Sequence, residues 1–239
     1  MMTVITVVAL AWAAGAEAAR STPTANSIPM LSQIDVMMIE IEDLDGWMAS
    51  HRSRTELREM NRGMRSVCEE LRNVESYTYA LAQDRQFLEN GANAKTLRSL
   101  QASMSLLTTE LNGWQNTMRT LATQGTPSEP ASGSDREKCQ SAGADLAKRM
   151  AALEAGLGEV GESMTTHGGR SELSASAVSL AAALNQLGPV VRAMDRLNED
   201  PALDQNCLSQ LRQAQERLSG VVQQIESCRE CLAGMTPKS

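Results

Sequence analysis

Apolar residues recur along most of this chain at alternating steps of three and four, the spacing of one stripe on a helix. The clearest stripe runs Leu57, Met60, Met64, Val67, Leu71, Val74, Thr78, Leu81, loses the pattern at Arg85 and recovers it at Leu88. A second runs Leu97, Leu100, Met104, Leu107, Leu111, Trp114, Met118, Leu121 without exception. An average step of 3.5 residues keeps one stripe facing a neighbour over many turns, so each segment needs partner helices to cover it. Four more segments share the spacing. They are Met30 to Met48, Cys139 to Met164, Leu173 to Met194 and Cys207 to Leu232.

The residues between the stripes punctuate them. Pro29 suits the first turn of a helix, where its missing N–H costs nothing. Ser53 to Glu56 and Ser134 to Glu137 both read as capping boxes, in which the serine oxygen accepts from a free amide and the glutamate reaches back. Asn90-Gly91 and Gly168-Gly169 stop helices, Asn93 opens one, Gly188-Pro189 predicts a kink, and Asp200-Pro201 predicts the cap of the last helix. Residues 126–134 hold two prolines among Ser, Thr and Gly, which cannot continue a helix.

The expected fold is therefore all-α: two antiparallel three-helix, coiled-coil-like bundles, residues 28–125 and 135–233, joined by the 126–134 linker. A flexible segment, 20–27, precedes them and a flexible tail, 234–239, follows. The rival packing is a single larger bundle with the linker as a crossover.

Composition narrows the picture. The chain has 239 residues with a hydrophobic fraction of 42%, yet only three Trp, two Tyr and one Phe, so Leu, Ala and Met must fill the seams. A formal charge of -7 argues against nucleic-acid binding, which needs clustered Lys and Arg. Val4 to Ala16 is nearly all apolar or small, and Ala16-Glu17-Ala18 has the small-x-small pattern of a signal-peptidase site. Residues 1–19 thus read as a signal peptide, with an extracytoplasmic location, periplasmic or secreted, for the mature chain. The run is shorter than the ~20 residues that cross a bilayer, and no membrane span is expected in the mature form.

Export gives the five cysteines an oxidising setting. Cys139, Cys207, Cys228 and Cys231 are disulfide candidates, and Cys68 is left as a possible free thiol. In an up-down-up second bundle its first and last helices run parallel, which puts Cys139 and Cys207 near one end and favours a bond between them. Cys228-Arg-Glu-Cys231 also has the spacing of a redox couple or half a metal site, with Arg229 placed to favour a thiolate.

Other motifs read as structural. Gly156-Leu-Gly158-Glu-Val-Gly161 matches a dinucleotide fingerprint in letters only, because it lies inside a helical seam rather than between a strand and a helix. Glu40, Glu42, Asp43 and Asp45 form an acidic run broken by seam residues, unlike a calcium loop, and Arg52, Arg54 and Arg58 stand across the turn to pair with it. His51 and His167 fall near turns without ligand-spaced partners. Met37-Met38 puts two methionines side by side where only one can face the seam.

The expected function is a non-enzymatic structural or protein-interaction module that presents helical faces to a protein partner or to another copy of itself. The alternative is an exported thiol-redox or soft-metal-handling protein acting through Cys228 and Cys231. Catalytic, cofactor and metal residues are not expected.

Overall fold

The computed structural model describes residues 29–123 and 131–235. The expected signal peptide, the 20–27 segment, most of the expected linker and most of the expected tail lie outside the described residues. Seven helices and no strand occur among those described: α1 (Pro29–Ser50), α2 (Thr55–Gln83), α3 (Arg85–Glu89), α4 (Gly91–Thr123), α5 (Gly133–Thr166), α6 (Ser171–Glu199) and α7 (Gln205–Gly234). The all-helical expectation holds.

Several ends differ from the sequence reading because other side chains reach the free amides. Arg54 occupies the N-cap of α2 and makes no side-chain capping hydrogen bond, so Ser53 and Glu56 form no box there. Ser132, not Ser134, caps α5 by accepting from the Asp135 amide at 3.2 Å, and the helix starts inside the expected linker. Asp204, not Asp200, caps α7 by accepting from the Cys207 amide at 2.8 Å; Asp200 closes the turn before it through Ala202 at 2.8 Å. Where the α2 stripe fails, Asp84 ends the helix and accepts from the Phe87 amide, starting α3. Asn90 does the same for α4 through Ala92. The expected break at Gly188-Pro189 is absent, and α6 runs through it. Pro189 and Asn185 are both exposed, so the carbonyl deprived of its partner faces water.

Each half is a triad of long helices. Asp45–Arg62, Glu42–Arg65 and Asp35–Arg72 pair α1 with α2 in antiparallel register, and Glu40–Arg119 ties α1 to α4. The triads do not stand apart. The most extensive packing in the molecule is α2 on α6, followed by α4 on α7, and both cross between the halves. Four antiparallel helices, α2, α6, α7 and α4, form the centre, with α1 covering α2 and α4 on one side and α5 covering α6 and α7 on the other. The buried side chains make one continuous cluster running from Ile34 to Met235. The expected division into two self-contained bundles is thus replaced by the single larger packing.

The reason is the width of the apolar surface. On α2 the buried residues fill three adjacent stripes, Leu57-Met64-Leu71, Met60-Val67-Val74 and Asn61-Cys68-Glu75, more than one seam can cover. A Cβ on Gly63 would lie 2.5 Å from Cγ2 of Val190, so α2 and α6 approach over a glycine. Between α4 and α7 two glycines face each other's neighbours: Gly113 receives Arg217, Gly220 receives Glu110, and those two side chains pair at 3.1 Å. Ion pairs Arg54–Asp200, Glu59–Arg196 and Asp84–Arg170 line the α2–α6 contact from end to end. These pairs are partly exposed and fix register more than they add stability.

Candidate functional site

The turns at one end converge on a pocket of about 360 Å³. Leu57, Leu121, Leu197 and Leu203 supply apolar walls, and His51, Arg54, Asp204 and Cys207 supply polar ones. Trp47 and His51 are stacked with ring centroids 4.1 Å apart, and the His51 Nδ1 lies 2.9 Å from the Trp47 carbonyl. Arg52, next in the turn, holds φ at +52°, a left-handed conformation that few L residues adopt. Arg54 is held by Asp200 across the α2–α6 contact. Burial pushes the Cys207 thiol up, and the charge of Asp204 adds to this. A thiol so placed stays protonated at neutral pH and is a poor nucleophile. The pocket thus sets apolar walls beside the charges of Arg54 and Asp204.

The other cysteines are dispersed, and all five are free thiols. The expected Cys139–Cys207 bond is not present. Helices α5 and α7 do run parallel, as Arg149 to Ser219 at 3.0 Å and Ser132 to Gln205 at 3.3 Å show. Their starts are level, however, so Cys139, seventh in α5, lies about 6 Å further along than Cys207, third in α7. Gln215 fills the place opposite Cys139: its Oε1 accepts from the thiol and its Nε2 donates to the Cys139 carbonyl, both at 2.9 Å. Burial and then Asp195 push the Cys139 thiol up to about 11, against the smaller pull of Arg212 and Gln215.

Cys228 and Cys231 lie one turn apart near the end of α7, the first fully buried and the second half-buried. Burial raises both thiols, and each is raised further by a neighbour, Cys231 for Cys228 and Glu230 for Cys231. Arg229 turns away to cover Gly156 on α5. Cys68 is buried, and burial with Glu69 beside it pushes its thiol up to about 12. No group of three or more metal-ligating side chains occurs among the described residues.

The structure also places the remaining motifs. Of the arginines expected to meet the acidic run, Arg58 pairs with Asp45 at 3.7 Å, and Arg62, Arg65 and Arg119 pair with Asp45, Glu42 and Glu40. The three glycines of the fingerprint-like motif do different things: Gly156 meets Arg229, a Cβ on Gly161 would lie 3.8 Å from that of Ala177, and Gly158 faces open space. Met37 is buried and Met38 half-buried. His51 and His167 are both exposed.

Two features went unread in the sequence. The end pocket draws on turns far apart in the chain, which no local pattern links. Glu75 is 1% exposed on the third stripe of α2; its seven-residue spacing from Cys68 and Asn61 was the available signal. No family model, no curated protein and no solved structure matches the chain.

Proposed function

We propose that this chain is an exported, non-enzymatic helical module whose mature form docks a protein partner through the outer face of α1. The observation that carries this is the pair Val36 and Ile39, one turn apart and 54% and 59% exposed. Their neighbours Ile34, Met37 and Ile41 are buried, so α1 is apolar on two faces and only one is covered. An isolated exposed apolar residue needs no explanation, but two on one short helix face supply the start of a contact surface.

Export rests on the pattern of residues 1–19. Of the described helices α6 alone is long and apolar enough to cross a membrane, and half of that window is buried in the bundle core. The thiol-redox reading has weaker support, because Cys228 is sealed and its thiolate disfavoured.

A photo-crosslinking residue placed at position 39 in the native host tests the reading. It is expected to yield a discrete protein adduct that the same residue at position 148, an exposed site on α5, does not. Equal adducts at both positions, or none at position 39, would remove the basis for the proposal.

A further inference from the structure

Glu75 lies under the beginning of α1. Asn61, Cys68 and Glu75 recur every seven residues and form the α2 stripe beneath that helix. The Asn61 Nδ2 donates to the Ile41 carbonyl at 2.8 Å, which ties the first of them to α1. Asp45–Arg62, Glu42–Arg65 and Asp35–Arg72 step along the same contact, and one further step puts Glu75 level with the first turn of α1. Both Glu75 carboxyl oxygens are buried and have no hydrogen-bond partner among the described residues. A buried carboxyl without donors is tolerated as the neutral acid and strongly disfavoured as the anion.

The charges around it do not relieve this. From α1 it meets Asp35, which raises it further and is itself engaged by Arg72 of α2. Helix α4 has no ionisable residue between Arg98 and Glu110, and α6 has none between Glu172 and Arg192. On α3, Arg85 and Glu89 lie about 15 Å or more further along the helix direction. On α2 itself Glu69 and Glu70 are also acidic. Burial first, and Asp35 second, push the Glu75 carboxyl up to about 7.

We propose that Glu75 is the catch of a proton-operated latch: as the neutral acid it stays beneath α1, and once ionised it drives the first turns of α1 off α2. Among the described side chains, Ile34, Met37 and one ion pair hold those turns. The ion pair at that end, Asp35–Arg72, is about half exposed on both sides, and such pairs contribute little. Opening hydrates Glu75 and uncovers Ile34 and Met37, at the opposite face from Val36 and Ile39. The latch stands on the Glu75 geometry alone and does not depend on α1 docking a partner.

Hydrogen exchange on the intact chain tests it, with protection corrected for the intrinsic pH dependence of exchange. If opening frees Glu75 to titrate at its ordinary value, linkage predicts that amides of residues 32–40 lose protection by about thirtyfold between pH 5.5 and 8.5. Amides in the middle of α7 should not change with them. In Glu75→Gln the loss should disappear. Unchanged protection of α1 in the wild-type chain would overturn the proposal whether or not the variant folds. So would an equal loss in α1 and α7, which is global loosening, or a persistent loss in Glu75→Gln.

Discussion

Replacing Trp114 by alanine is expected to cost the fold about 3–5 kcal/mol, the range for deleting a large aromatic side chain from a packed core. Trp114 is fully buried, and Leu107, Leu111, Met118 and Leu121 continue its stripe on α4. With so few aromatic residues in the chain, little else can fill the space it leaves. Its Nε1–H is buried without an acceptor among the described residues, which already costs the native state something. Trp114→Phe should therefore lose much less than Trp114→Ala, because it keeps most of the ring and removes the orphaned donor. Urea unfolding followed by far-UV circular dichroism checks both. A loss below about 1 kcal/mol for the alanine variant, a value typical of surface substitutions and mild changes, would mean that α4 is not packed as described.

The second large effect is a fall in stability from mildly acid to neutral pH. Glu75 is raised from an ordinary 4.5 to about 7 in the folded chain, so the folded state holds this proton more tightly than the unfolded state does. Stability associated with Glu75 is fully present below about pH 4.5, falls as pH rises through the window to 7, and stays low above it. The shift corresponds to roughly 3 kcal/mol. Burial also raises Asp195, which adds a change of the same sign, whereas Asp135 is lowered by Ser132, Lys138 and Gln205 and works the other way in acid. Glu75→Leu should remove most of the decline and be more stable than the wild-type chain at pH 8. Equal slopes in the two proteins between pH 5 and 8 would show that Glu75 is solvated.

The helices were legible in the sequence because a stripe on the 3-and-4 spacing has one local meaning. Their ends were less so. Ser53, Ser134 and Asp200 are all competent caps, and the choice of Arg54, Ser132 and Asp204 in their places depends on how neighbouring helices fix the turns. The pairing of the halves was present in the residues but overlooked: α6 carries no charge from Leu173 to Val191, more apolar surface than one seam with α5 can cover. Likewise the Asn61-Cys68-Glu75 stripe lay beside the recognised seam of α2, masked by its polar members. The cysteine error has a different source. Counting from assumed helix starts placed Cys139 and Cys207 within about 3 Å of each other along the axis, and moving those starts by a few residues put Gln215 where a sulfur was expected. The end pocket could not be read at all, since Trp47, Leu121 and Cys207 meet only through the packing of three separate turns.

The central structural claim is that the two triads share one core through α2 on α6 and α4 on α7. Cleaving the folded chain at a protease site introduced within residues 124–130, then measuring native mass without denaturant, tests it most directly. The shared core predicts a single particle of the uncut mass containing both fragments, separable only when unfolded. Two half-sized, folded and independent particles would contradict it.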